Sequence, residues 1–153
     1  WGWEYDEWFI NENGPYNRPV FRKFLPSTVD EMWQSYTAIN IPLMRYANVM
    51  LMQAEAMNEL GKTNEAIALI NQVRDVHGDM PAMSGTTQEA VRAQIEHERM
   101  IEFPLENYRW YDLRRWGKLT SAMQAAGRTN FKESEHAFYP TPLTEINAND
   151  ELK

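Results

Sequence analysis

Apolar residues recur at steps of three and four on both sides of one glycine, and this pattern constrains the fold more than any other feature of the chain. Before Gly61, Tyr46, Val49, Met50, Ala54, Met57 and Leu60 share one side of a helix running from about Met44 to Leu60. After it, Ala66, Ile67, Ile70 and Val73 do the same as far as about Val76, with Thr63 or Asn64 as the cap. Gly61 suits the left-handed position that ends a helix. Two helices joined by so short a link fold back on each other. Ala54 lies seven residues before Gly61 and Ala66 five after it, so small side chains meet at the crossing and bulky ones follow in the groove. A tetratricopeptide-type hairpin requires this, and any antiparallel helix hairpin fits the periodicity equally well. One such unit cannot bury its own face and needs neighbours. No second copy in the same phase occurs in the chain.

The remaining segments extend the helical reading. Ser27 and Thr28 before Asp30 and Glu31 predict a short helix to about Tyr36. Thr86 with Glu89 opens another, to about Phe103. Pro104 is placed to start the next, which carries ENYRWYDLRRW and ends near Gly117. Leu119 to Ala126 is a further short helix before Gly127. Residues 1–26 lack helical period and read as loops with short extended pieces, and HAFYPTPLTEINANDELK reads as extended chain plus one turn. The expected fold is mainly α, helical hairpins with long irregular loops.

Composition narrows the function. With 153 residues and no cysteine, the chain is about one domain without disulfides or thiolate metal sites. A net charge of −7, with no basic stripe, argues against nucleic acid as a partner. The longest apolar runs fall far short of a membrane span. The opening WGWEYDEW reads as the interior of a protein, so the chain is expected to be a fragment with any targeting signal outside it.

The segment HERMIEFPLENYRWYDLRRW carries the most information. Glu106, Arg109, Asp112 and Arg115 follow at steps of three, a stripe of alternating sign suited to successive ion pairs, while Trp110, Leu113 and Trp116 are expected to face the core. A carboxylate pair for acid–base catalysis is one reading. An ion-pair network locking a helix corner is the favoured one, because Arg99, Arg109, Arg114 and Arg115 hold these carboxylates ionised and a general acid needs a raised pKa. Arg109 is expected to pair with Glu102, Glu106 or Asp112. His97-Glu98 opens like a zincin helix, but Ile101 stands where the second histidine is required. His77, His97 and His136 have no metal-ligand spacing and are expected to be solvated or capping. There is no P-loop, dinucleotide glycine pattern or nucleophile elbow, so no cofactor and no catalytic residue is expected. Four of the nine methionines, Met44, Met50, Met52 and Met57, lie on one helix, and they read as core packing rather than a binding face.

Aromatic residues are unevenly placed: ten of nineteen lie within the first 36 positions. Trp1, Trp3 and Tyr5 alternate, so an extended segment points them the same way, and Trp8 follows Asp6 and Glu7. Exposed rings beside carboxylates and amides suit sugar, the ring covering the C–H face and the polar groups bonding the hydroxyls. Trp1, Trp3, Tyr5 and Trp8 are therefore the candidate glycan-binding residues. The same composition also fits a loop packed on the helices.

Taken together, several segments resemble the C-terminal region of the SusD/RagB family. RYANVMLMQAEA (residues 45–56) is similar to the family's R-Y-A-D-V-L-L-M-x-A-E-A, with Asn48 in place of the usual Asp. Asn71, Val73 and Arg74 match its N-x-V-R, and Glu98, Arg99, Glu102, Glu106, Arg109 and Asp112 to Trp116 match its charged signature, with Pro104 and Asn107 where Ala and Gly are more usual. Phe21-Arg22-Lys23-Phe24 resembles its R-K-[FY] strand, and Tyr139 to Ile146 its P-I-P-x-x-E-I segment. The resemblance covers about residues 20–147 in order and lacks the family's N-terminal half. It divides the chain into an aromatic-rich loop region with one short helix, 1–40, and a SusD/RagB-like C-terminal helical region, 41–153. It implies a surface lipoprotein of the outer membrane of Bacteroidetes-type bacteria, held by a lipid anchor outside this chain. It further implies a nutrient- or glycan-binding subunit, not an enzyme, whose partner is a SusC-like TonB-dependent transporter and whose charged signature is structural. The alternatives are a helical-repeat interaction scaffold without a ligand site of its own, marked by absence of a lipobox upstream, and a glycoside hydrolase, which needs a spaced carboxylate pair in a cleft.

Overall fold

The computed structural model of the protein describes residues 39–152 continuously, together with 10–11, 14–15, 23–24, 29–32, 34 and 36. The chain divides into two units, Trp1–Arg45 and Tyr46–Lys153. In the first, β1 (Ile10–Asn11) pairs antiparallel with β2 (Gly14–Pro15), in the register Ile10↔Pro15. Lys23 and Phe24 form a turn rather than the strand their motif suggested, because Phe24 has φ 65°, outside any strand conformation. Helix α1 (Val29–Met32) is one turn long and stops short of Tyr36.

The second unit is helical. Helices α2 (Tyr46–Glu59) and α3 (Thr63–Gly78) form the expected hairpin, and α4 (Gln88–Glu102) packs against both. Gly61 adopts φ 77°, and the amides of Gly61 and Lys62 donate to the carbonyls of Asn58 and Met57 at 3.1 and 2.9 Å. This double bond closes the last turn of α2 and sends the chain back along it. Ala54 and Ala66 are completely buried. The core continues through Leu51, Ile70, Val73, Val91 and Ile95, each worth about 1.5–3 kcal/mol of burial.

The buried face of α2 is rotated from the expected one. Ala47, Met50, Leu51, Ala54 and Asn58 face inward, whereas Tyr46, Val49 and Leu60 are exposed. The sequence reading placed the large side chains inside, but a tight crossing selects the small ones at Ala47 and Ala54. Asn58 replaces an apolar contact with a reciprocal clasp. Its Nδ2 donates to the Gln88 carbonyl at 2.9 Å, and Gln88 Nε2 donates to the Asn58 carbonyl at 2.7 Å. The start of α4 is thereby fixed to the end of α2.

Thr87, not Thr86, caps α4, its hydroxyl accepting from the Ala90 amide at 3.1 Å. Pro104 does not open a helix. Residues 103–107 make a turn in which Leu105 and Asn107 have φ near +65°, and α5 (Tyr108–Arg115) begins after it. Asparagine tolerates that conformation. Gly117 (φ 67°) ends α5 as Gly61 ends α2, with Lys118 N donating to the Leu113 carbonyl at 2.7 Å. Helices α6 (Leu119–Ala125), α7 (Glu133–His136) and α8 (Leu143–Ala148) follow, with a 3-10 turn at Asp150–Leu152. The tail therefore holds a short helix where extended chain was expected.

Candidate functional site

Two adjacent residues of α4 tie the second unit together. Glu98 and Arg99 are both buried in spite of their charge. Glu98 reaches α3, where its Oε1 accepts from Arg74 Nη1, and Gln94 Nε2 donates to the same oxygen. Arg74 Nε also donates to the Pro81 carbonyl at 2.8 Å, holding the loop between α3 and α4. Arg99 reaches the other way. Its Nε donates to Asp112 Oδ2 on α5 at 2.7 Å, and its Nη1 to Asn48 Oδ1 on α2 at 2.8 Å. The side chains of Arg99 and Asp112 are each 4% exposed. The guanidinium also lies 5.1 Å from the Phe103 ring centre and 5.9 Å from that of Tyr108, so aromatic faces shield it. Asn48 keeps the hydrogen bond that a carboxylate at that position offers and removes one negative charge from the cluster.

This pairing keeps one step of the expected stripe, Asp112 with Arg115, and adds a partner that the sequence reading did not offer. Asp112 is held by Arg99 and by Arg115 Nε at 3.0 Å, not by Arg109, whose buried Nη1 has no hydrogen-bond partner among the described residues. Trp110, Leu113 and Trp116 are half-buried and do not enter the core; Asp112 is the buried residue of α5. An eight-residue helix seated on a buried arginine turns its acid inward and its aromatics to the flanks. Trp110 packs edge-on against Phe131 at 6.0 Å. His97 is exposed, and His136 Nδ1 accepts from the Lys132 amide at 2.9 Å as a cap.

Glu55 is the residue that the sequence reading missed. Burial alone raises its pKa, but hydrogen bonds from Arg115 and Trp116, with the charges of Arg115 and Arg99, outweigh burial and hold it below the usual carboxylate range. Arg115 Nη2 donates to Glu55 at 2.7 Å and Trp116 Nε1 at 2.8 Å. Its signals in the sequence are its place as the Glu of the matched segment 45–56 and its position seven residues after Asn48, on the edge of the buried stripe. Beside it, Arg92 makes a two-pronged pair with Glu59, and Lys118 pairs with Glu96. These residues, with Ile95, line a cleft of about 250 Å³ between α2, α4 and the α5–α6 turn.

Glu55, Glu59, Glu96, Glu98 and Asp112 are each held in an ion pair with arginine or lysine, an arrangement that fixes the helices to one another. The candidate glycan-binding residues Trp1, Trp3, Tyr5 and Trp8 lie outside the described residues. No helix among the described residues is long and apolar enough to cross a membrane.

Comparison with known proteins agrees with the motif reading. A family model described as the SusD family (SusD/RagB) matches residues 5–153. SusD-like protein P38 of Formosa agariphila is 35% identical over 123 residues, which covers 74% of this chain and 24% of that protein. SusD-like protein P25 of the same organism is 32% identical over 145 residues, 89% of this chain and 27% of its own length. The chain thus spans about a quarter of the relatives it matches. A crystal structure of a SusD superfamily protein from Bacteroides vulgatus superposes with a TM-score of 0.55 at 42% identity, covering 57% of this chain and 19% of that one.

Proposed function

The chain belongs to the SusD family, and from that premise we propose that the protein is a cell-surface glycan- or nutrient-binding subunit that passes its ligand to a SusC-like TonB-dependent transporter in the outer membrane. The observation that carries this reading is the family match across residues 5–153. The ion-paired corner supports a binding role without catalysis. In this reading, residues 41–153 are scaffold, residues 1–40 bring the ligand-contacting aromatics, and a lipid anchor beyond this chain holds the protein to the membrane. Loops mounted on a rigid scaffold are where binding side chains concentrate.

Trp1, Trp3 and Trp8 are the residues to test. Replacing each by Ala is expected to weaken glycan binding by about 1 kcal/mol or more at a nearly unchanged melting temperature, since an exposed ring stacks on sugar without supporting the core. Isothermal titration and thermal melting of the same variants check this. A loss of about 3–5 kcal/mol of stability in all three, the cost of emptying a core site, contradicts it.

A further inference from the structure

The cleft beside Glu55 has a composition that the locking role leaves unused. Its floor is apolar, formed by Ile95, which is 1% exposed, and the Trp116 indole. That indole is fixed in place: Glu55 holds its N–H, and the Arg115 guanidinium lies 4.5 Å from the ring centre. The rim is polar and half-exposed. Glu59 and Arg92 are 47% and 45% exposed. Each lining carboxylate is matched to a cation: Glu55 to Arg115, Glu59 to Arg92 and Glu96 to Lys118.

We propose that this cleft is a subsite for one uncharged pyranose ring, with the Trp116 indole against the apolar face of the sugar and the Glu59–Arg92 pair and Lys118 bonding its hydroxyls. The proposal rests on the carbohydrate reading above and adds a contact point distinct from the aromatic opening. Three features select this ligand. A volume of about 250 Å³ falls below that of sites enclosing drug-sized molecules, so it takes a single ring, not an oligomer. The matched charges select against ions, because an anion or a cation has to break a pair to bind, whereas a hydroxyl both donates and accepts beside an intact one. The fixed indole offers a platform that loses little freedom on binding.

The test is titration of the full, nitrogen-15-labelled chain with methyl β-D-glucopyranoside, methyl β-D-galactopyranoside, methyl glucuronide and glucosamine. The indole N–H resonance of Trp116, assigned from the spectrum of Trp116→Phe, is the readout. The neutral glycosides are expected to shift it at lower concentration than the charged sugars. Arg92→Ala is expected to raise the midpoint about tenfold, as for one lost charge-assisted hydrogen bond, with the rest of the spectrum retained. An unmoved resonance, or charged sugars acting as strongly as neutral ones, overturns the subsite. A glycan array on the same protein separates the two readings. Oligosaccharide capture without a Trp116 shift removes the subsite and leaves the glycan-binding function standing. A Trp116 shift without oligosaccharide capture does the reverse.

Discussion

Arg92 and Arg99 sit seven residues apart on α4 and make the same kind of bond to a carboxylate, yet burial separates their consequences. The Arg92–Glu59 pair is about half exposed, and the Arg99–Asp112 pair is 4% exposed on each side. Exposed pairs contribute under about 1 kcal/mol, while removing one partner of a buried pair strands a charge at about 3–5 kcal/mol. Urea unfolding is therefore expected to place Arg99→Ala about 3–5 kcal/mol below the parent and to leave Arg92→Ala close to it. Equal effects contradict the buried lock. Glu55 supplies a pH-dependent test. Its pKa is lowered in the folded state, so its stabilisation is complete above the unfolded carboxylate value of about 4 and is lost as pH falls through the lower folded value. Glu55→Gln is expected to be less stable than the parent at neutral pH, the gap closing on acidification. A gap that is constant with pH, measured by unfolding between pH 7 and the acid limb, counts against the paired Glu55.

At the scale of the element, what the sequence revealed depended on where the determining contacts lay. The helix hairpin was legible because its determinants are local: the steps of three and four, Gly61 at the reversal, and alanine at both crossing positions. Ala54→Trp is expected to overpack that crossing and cost about 1–3 kcal/mol by chemical unfolding, against a near-neutral result if the position had room. The inward face of α2 was only partly legible. Ala47 and Asn48 are buried and Tyr46 is not, because α4 chooses the face through Arg99 and Gln88, and those contacts are 51 and 30 residues distant along the chain. The partners of Asp112 were legible in part: the step of three along one helix offered Arg115, which pairs with it, but Arg99 comes from the preceding helix across the turn at 103–107, with its two left-handed residues. Glu55 was legible only as a position in the family-like segment 45–56, with nothing beside it to name its partners. Its meaning comes from Arg115 and Trp116, which arrive from 60 and 61 residues away.

At the scale of the whole molecule, the family's charged signature and its helix hairpin prove to be one device. Glu98 and Arg99 gather α2, α3 and α5 onto α4 through buried charges, with Glu98 committed to Arg74 and Asp112 to Arg99. The proposed function requires of such a frame that it present a ligand without changing it. The most direct test of that claim is to incubate the protein with an oligosaccharide selected on a glycan array, recover the bound fraction and determine its mass. Retention of the oligosaccharide at unchanged mass, after incubation long enough for many turnovers of an ordinary hydrolase, is the predicted result. Shortened products, abolished by Glu102→Gln without loss of stability, contradict it.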